Sequence, residues 1–252
     1  MSSLTKLLSI LEFFSLGNTV LTAEQIISKL GCSRPQGYRY IRELYSAGFL
    51  TRFLGAYSLG PRIIELDFII RLGDPLLRSS EPLIRELRDR VACDIILAKM
   101  FGDHLVAIHH ERCNNTNFVG YGRGRPMPLF RGSGYKLILA YLPSARQKRL
   151  FHQYPDAVKA SNLGQTWEEL RADLRKIRQA GYALSFGELD ALNVGISAPI
   201  FDEPNIPPIA LTLIVPRTRY ETSNQELLAQ IVTSVTSNIS HHLQQQRAIS
   251  PR

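Results

Sequence analysis

Guanidinium and amide side chains recur over Ser33–Ser46 with a spacing that would place several of them on one side of a helix. At about 100° per residue, Gln36 and Arg39 share the outward side, whereas Gly37 and Ile41 fall on the opposite side. Arginine reads guanine and glutamine reads adenine through paired hydrogen bonds in the major groove of DNA. This pattern predicts a helix that reads DNA bases, with a solvated charged face as the simpler alternative for any single arginine.

The charge around this helix favours the same partner. From Lys29 to Arg62 the sequence has six basic residues and one acid, within a chain whose formal net charge is +8. Such a local excess attracts the phosphate backbone, which supplies affinity without sequence information. Flanking, capping and downstream side chains are candidates for these contacts. The predicted DNA-binding residues are Thr22, Ser33, Arg34, Gln36, Arg39, Tyr40, Arg42, Arg52 and Arg62.

Two short helices joined by a tight turn would position these residues. "TAEQ" at Thr22–Gln25 and "SRPQ" at Ser33–Gln36 both have the sequence of a capping box, and Gly31 between them suits a helix end. Two strand candidates surround Gly55, so the order helix, turn, helix, hairpin predicts a winged helix-turn-helix. Glycine inside a helix costs about 1 kcal/mol of stability relative to alanine. The alternative role of Gly37 is to allow close approach between the two helices.

A further helix is predicted at residues 61–73, with Pro61 in its first turn and Gly73 at its end. Beyond it, strand and helix patterns are mixed along the chain, which predicts an α+β domain. We therefore predict a winged helix-turn-helix DNA-binding domain at 1–60, a linker helix at 61–73, and an α+β domain at 74–250.

Composition and spacing argue against several classes of site. The three cysteines share no CxxC spacing, and the histidine pairs His109–His110 and His241–His242 lack helical metal-ligand spacing. We predict no metal and no cofactor, and no catalytic triad can be singled out. No apolar run approaches the roughly 18 residues needed to span a bilayer. The N-terminus lacks the pattern of a signal peptide, so a cytoplasmic protein without membrane contact is expected.

The stretch from Thr22 to Leu50, followed by "YSLGPRIIEL", resembles the DNA-binding domain of the IclR family of bacterial transcription regulators. Farther along, "RPMPLFRGSGYKLILAYLP" resembles the stretch that shapes the family's effector pocket. "AGYALSFGELDALNVGISAPIFD" and "IALTLIVP" resemble its paired pocket strands. The resemblance covers nearly the whole chain. It implies a GAF-like C-terminal domain that binds a small organic acid or aromatic effector, within a homodimer or homotetramer.

Matching the pocket motifs position by position implies a set of effector contacts. Glycines at the start of a helix leave backbone N–H groups open to an anion. Gly195 stands where the family often has cysteine and Ile214 where serine is frequent, so a roomier, less polar pocket is expected. Arg131 could pair with a carboxylate or lie on the surface. The resemblance implies that Glu188 and Asp190 lie near the mouth of the pocket, where an acid is most simply a solvated loop residue. The implied effector-binding residues are Arg131, Gly132, Ser133, Gly134, Gly195, Ser197, Thr212 and Ile214.

These features together favour a sequence-specific, effector-responsive transcription regulator that is not an enzyme. A symmetric dimer predicts a palindromic operator in double-stranded DNA, with half-sites about one helical turn apart. Repression is one expected mode, although the residues do not separate a repressor from an activator. Two alternatives are a non-specific architectural DNA-binding protein and a small-molecule enzyme with an appended DNA-binding module. Ligand-linked changes in DNA affinity would argue against the first, and turnover of a bound acid would reveal the second.

Overall fold

The computed structural model describes residues 2–113, 120, 122–203 and 206–249 of the 252-residue chain. The chain divides into two compact units, Met1–Asp74 and Pro75–Arg252. The fold is α+β, with an N-terminal winged helix-turn-helix and a GAF-like C-terminal domain built on a six-stranded antiparallel sheet, as the sequence predicts. No described helix is both long and apolar enough to cross a bilayer.

The described part of the first unit contains four helices and a hairpin. In chain order these are α1 (Ser3–Glu12), α2 (Ala23–Leu30), α3 (Arg34–Ser46), β1 (Leu50–Phe53), β2 (Ala56–Leu59) and α4 (Arg62–Gly73). The hairpin turns at Leu54 and Gly55, whose φ angles of 48° and 81° are those of a two-residue turn between paired strands. Backbone hydrogen bonds in both directions between Leu21 and Tyr57, at 2.9 and 2.8 Å, attach the hairpin to the helices.

One of the two predicted capping boxes forms. Thr22 Oγ1 accepts from the backbone N–H of Gln25, and Gln25 Oε1 accepts from the backbone N–H of Thr22. The capping box predicted at Ser33–Gln36 is wrong, because Ser33 makes no side-chain cap. The amide of Gln36 instead donates to Tyr40 Oη at 2.8 Å, four residues along the same helix.

At Gly37 the side chain of Ile27 from α2 packs directly against the backbone of α3. A Cβ atom built on Gly37 would lie 2.3 Å from Cγ1 and 3.3 Å from Cβ of Ile27. Both distances are shorter than ordinary van der Waals contact, and Ile27 is itself buried in the core. The close approach therefore explains a glycine in the middle of a helix.

Replacing Gly37 with alanine is expected to destabilise the first unit by up to about 2 kcal/mol. Overpacking against Ile27 costs about 1 to 3 kcal/mol, and this outweighs the gain in helix propensity of about 1 kcal/mol in most of that range. Urea unfolding followed by far-ultraviolet circular dichroism measures the change. Ser46→Ala, at an exposed position of the same helix, is the control, and a more stable Gly37→Ala protein would contradict the packing argument.

The second unit wraps helices around the larger sheet. Its described elements are α5 (Pro75–Val91), β3 (Asp94–Phe101), β4 (His104–Glu111), β5 (Pro126–Met127), α6 (Ser133–Tyr141), α7 (Ser144–Gln153), α8 (Pro155–Lys159), α9 (Trp167–Ala180), β6 (Ala183–Phe186), β7 (Asn193–Ile200), β8 (Ile209–Pro216), α10 (Arg217–Thr222) and α11 (Gln225–Ile249). The strand order is β5-β4-β3-β8-β7-β6, and each neighbouring pair is antiparallel.

Each face of this sheet has its own apolar core. Side chains of α5 and α11 pack on one face, and side chains of α6 and α9 pack on the other. On β7, which is buried along its length, Val194 and Ile196 belong to the first core. Because side chains alternate along a strand, Gly195 and Ser197 face the opposite side, towards α6. The candidate pocket lies on that side.

Candidate DNA-contacting face and ligand pocket

The outward side of α3 and the hairpin border one open groove. It is lined by Pro35, Tyr38, Arg39, Arg42, Tyr45, Arg52 and Tyr57. Its three guanidinium groups, those of Arg39, Arg42 and Arg52, are on exposed residues. None of the three forms an ion pair within the part of the chain that the structure describes. We call this surface the arginine groove, and its charge suits an anionic partner.

Aromatic rings restrain two of these arginines. The guanidinium carbon of Arg39 lies 5.5 Å from the ring centroid of Tyr40, and that of Arg52 lies 5.8 Å from the ring centroid of Tyr57. Both distances are within the range of a cation–π contact. A guanidinium that is already restrained loses less conformational freedom when it binds, which favours its use in recognition.

A further tyrosine at the rim of the arginine groove is fixed by an acid on α2. Tyr38 Oη donates to Glu24 Oε1 at 3.0 Å. This hydrogen bond, together with the nearby negative charge, raises the pKa of Tyr38 above its usual value. The pKa of Glu24 is lowered, first by a hydrogen bond from its own backbone and then by the one from Tyr38. Tyr38 therefore stays a neutral donor and Glu24 stays ionised near neutral pH.

The prediction that Tyr40 contacts DNA is wrong. Its side chain is 2% exposed and belongs to the core of the first unit. Its hydroxyl is shared between Ser3 Oγ and Gln36 Nε2, both at 2.8 Å. Tyr40 lies at the edge of the buried face of α3, where contact with α1 covers it. Its hydroxyl accepts from Gln36 and its ring lies beside the Arg39 guanidinium, but Tyr40 itself does not reach the surface.

The other predicted DNA contacts are accessible to different degrees. Arg34 and Ser33 are exposed at the start of α3, and the exposed Thr22 is engaged in its capping box. Arg62 is exposed but is paired with Glu65 at 2.8 Å, so a phosphate would have to compete with that carboxylate. Their contact with DNA stays a prediction.

A small cavity of about 40 Å³ lies at the start of α6 in the second unit. It is lined by Ile96, Met127, Ser133, Gly134, Ser185, Glu188, Leu189, Asp190, Asn193, Gly195, Thr212 and Ile214. The predicted positions that line it are Ser133, Gly134, Gly195, Thr212 and Ile214. Residues from α6, β7 and β8, far apart in the sequence, thus meet around one space.

Three predicted effector contacts do not line the cavity. Ser197 is fully buried behind the wall, where it donates to Ser133 Oγ and shares a hydrogen bond with Thr212 Oγ1, both at 2.7 Å. The Gly132 backbone N–H donates to Glu188 Oε2 at 2.9 Å. The Arg131 guanidinium donates to the main-chain carbonyl of Glu188, and its pairing with an effector carboxylate stays a prediction. These three residues form hydrogen bonds to residues that line the cavity.

Glu188 and Asp190 line the cavity, in agreement with the place near the pocket mouth that the resemblance implies. Glu188 is not a solvated loop acid, however, because it is 9% exposed and its carboxylate pairs with Lys136 of α6. Asp190 is half-buried and accepts from Asn193 Nδ2 at 2.7 Å and from the Leu192 backbone N–H at 3.1 Å. A lysine inside the otherwise apolar run "KLILA" was the available signal of a buried acid elsewhere.

The expectation that Gly195 makes the pocket roomier is also wrong. A Cβ atom on Gly195 would lie 2.5 Å from Ser133 Oγ and 2.7 Å from Ser185 Oγ. Two hydroxyl groups therefore already occupy the space that the missing side chain leaves. Residues that the sequence reasoning missed are Ile96, Met127, Ser185, Leu189 and Asn193, together with Lys136 behind the wall.

Two family models match the chain. Residues 3–52 match the IclR helix-turn-helix domain, and residues 73–241 match the C-terminal domain of the bacterial transcriptional regulator IclR. Among characterised proteins, the chain is 28% identical over 203 residues to the HTH-type transcriptional regulator KipR of Bacillus subtilis, covering 79% of this chain and 80% of KipR. It is 23% identical over 236 residues to the Pca operon regulatory protein of Acinetobacter baylyi, covering 92% and 84%.

Solved structures share the fold over most of their length. An IclR family transcriptional regulator from Brucella abortus matches with a TM-score of 0.76 at 18% identity, covering 100% of this chain and 93% of that one. An IclR homologue from Microbacterium hydrocarbonoxydans, complexed with 4-hydroxybenzoate, matches with a TM-score of 0.71 at 20% identity, covering 96% and 99%. At these identities the likeness concerns the fold alone.

Proposed function

The chain belongs to the IclR family of bacterial transcriptional regulators, and from that premise we propose that it reads a specific operator and responds to a small organic acid or aromatic effector. In this proposal α3 lies in the major groove of the operator. The effector binds at the cavity beside α6. Both steps are binding without chemical turnover.

The observation that carries the DNA part of the proposal is the arginine groove. Arg39, Arg42 and Arg52 are exposed around one concave surface and form no ion pair within the described residues. Three unpaired guanidinium groups on one side of a small unit favour a polyanion. Arg39 stands on the outward side of α3, where a paired hydrogen bond with guanine is possible.

The ligand part of the proposal is supported by the cavity at α6. Its lining combines apolar side chains with polar groups, a mixture typical of small-molecule sites. The polar groups are the hydroxyls of Ser133, Ser185 and Thr212, the amide of Asn193 and the carboxylates of Glu188 and Asp190. A relative of the same fold was crystallised with 4-hydroxybenzoate. Small carboxylic acids, with or without an aromatic ring, are therefore the ligands to screen first.

A homodimer or homotetramer is proposed because α4 has no buried residue. Its exposed apolar side chains are Ile64, Phe68, Ile69, Ile70 and Leu72. So much exposed apolar surface on one helix is typical of a protein interface. A second copy of the chain is the partner that a two-fold symmetric operator requires.

Replacing Phe68 with glutamate is expected to weaken self-association at least about 100-fold, because a buried interface charge without a partner costs several kcal/mol. Sedimentation equilibrium measures the change. Arg71→Glu is the matched control, since Arg71 lies on the same helix and is already polar and exposed. A Phe68→Glu protein with unchanged dissociation constant would show that α4 is not the interface.

Three linked measurements test the proposed function as a whole. Footprinting on the DNA upstream of the protein's own gene would reveal a protected palindrome. A screen of small carboxylic acids by thermal shift would find a ligand, and that ligand should change the affinity for the protected site. Equal affinity for the palindrome and for random DNA would support a non-specific architectural protein.

A further inference from the structure

The wall of the cavity supplies its own carboxylate. Glu188 Oε2 accepts from the Gly132 backbone N–H at 2.9 Å, and Glu188 Oε1 is paired with Lys136 Nζ. The two charged side chains are only 7% and 6% exposed. Arg131 donates to the main-chain carbonyl of Glu188. Glu188 is therefore held at both its side chain and its backbone.

The position of this carboxylate is one that favours anions in general. Gly132 is the N-cap of α6, with a φ angle of 78°, and its N–H points at the Glu188 carboxylate. The first N–H groups of any helix have no acceptor within the helix, and the helix dipole favours negative charge there. Lys136 adds a full positive charge in the second turn of the helix. Glu188 thus fills an anion position that belongs to α6.

The cavity beside this carboxylate is too small for a ring-bearing ligand as it stands. It measures about 40 Å³, whereas an engineered cavity of about 150 Å³ is one that accepts benzene. Glu188, Leu189 and Asp190 are consecutive in the connection between β6 and β7 and form one side of the cavity. A larger ligand therefore requires this side to move. Glu188 is the residue that ties it to α6.

We propose that an anionic ligand enters by exchanging its carboxylate for that of Glu188 on Lys136 Nζ and on the Gly132 N–H. Glu188 is then an internal competitor that makes the site selective for carboxylates over neutral ligands. The inference rests on the proposed ligand-binding role of this cavity. In the exchange Lys136 keeps an anionic partner, while the displaced Glu188 and its connection move towards solvent.

The exchange gives the ligand a way to alter the protein. A ligand shifts a conformational equilibrium only as far as its affinities for the two states differ. A carboxylate that replaces Glu188 binds only the state in which the β6–β7 connection is displaced. A neutral molecule of the same shape needs the same displacement but cannot replace the carboxylate as the partner of Lys136, so it binds the displaced state less favourably.

Calorimetry with benzoate and with its neutral isostere benzamide tests the exchange on the full-length protein. Glu188→Gln keeps the size of the side chain but removes its charge, and its single acceptor oxygen cannot replace both carboxylate oxygens, which accept from the Gly132 N–H and from Lys136 Nζ. Benzoate is expected to bind the variant at least about tenfold more tightly than the wild-type protein. The reason is that benzoate no longer has to displace a charged carboxylate, whose hydrogen bonds contribute at least about 1.4 kcal/mol. Benzamide requires the same movement of the connection but offers Lys136 no charge, so its affinity is expected to rise much less than that of benzoate. Equal or weaker benzoate binding by the variant, or no binding to either protein, would overturn the inference.

A second variant covers the case in which the glutamine still blocks the position. Glu188→Ala leaves Lys136 without its acid, so acetate should raise the melting temperature of this variant more than that of the wild-type protein. Acetamide is the matched neutral control. An acetate response equal to that of the wild-type protein would overturn the inference. Neither assay contains DNA, so failure of the exchange and failure of operator recognition by the wild-type protein are seen separately.

Discussion

Arg39→Ala is expected to remove most of the protein's discrimination between its operator and random DNA while leaving the first unit folded. Arg39 is exposed and contributes nothing to the core. One paired arginine–guanine contact provides about 1 to 3 kcal/mol of discrimination, so two copies in a symmetric dimer would provide about 2 to 6 kcal/mol. Fluorescence anisotropy with operator and scrambled duplexes measures the loss, and circular dichroism checks the fold.

Two further variants separate base reading from simple charge. Arg39→Lys keeps the positive charge but lacks the rigid planar fork of the guanidinium, so it should retain affinity for random DNA and lose part of the discrimination. Arg71→Ala, an exposed arginine of α4 paired with Asp67, should change neither. If folded Arg39→Ala protein discriminates as well as the wild-type protein, α3 is not the reading helix.

Local signals were enough to predict most of the first unit. The Thr22 capping box and the left-handed Gly31, with a φ angle of 58°, depend only on neighbouring residues, and both are present. The errors at Ser33 and Tyr40 have a non-local cause. Tyr40 bonds to Ser3, which is 37 residues away, and it also takes the amide of Gln36. A helical projection gives the direction of a side chain, but it does not show which distant element covers it.

The pocket shows the same division between local and distant signals. The segments that line it could be recognised, and Ser133, Gly134, Gly195, Thr212 and Ile214 do face the cavity. Short elements such as α8 and α10 have too few residues for a periodic pattern and were not predicted. Glu188 could not be recognised as buried because Gly132 and Lys136 are 56 and 52 residues away. The residue that closes the pocket is thus defined by tertiary contacts alone.

Lys136→Met is expected to cause the largest loss of stability among single substitutions around the pocket, about 3 to 5 kcal/mol. The cost arises because the carboxylate of Glu188, whose side chain is 6% exposed, loses its cationic partner. The chain has a single tryptophan, Trp167, which lies in α9 of the second unit. Urea unfolding followed by its fluorescence therefore reports on the unit that contains the pair.

Adding Glu188→Leu to Lys136→Met should recover most of the lost stability, because two apolar side chains in contact need no counter-charge. If Lys136→Met alone is as stable as the wild-type protein, the Lys136–Glu188 pair is effectively solvated. That result would also weaken the case for an anion position at α6. Deleting Lys136 differs from ligand exchange in one respect. Exchange always leaves an anion beside Lys136, whereas the Lys136→Met substitution leaves the buried Glu188 carboxylate without a cation. The ion pair can therefore be costly to break and still be open to replacement of Glu188 by a carboxylate ligand.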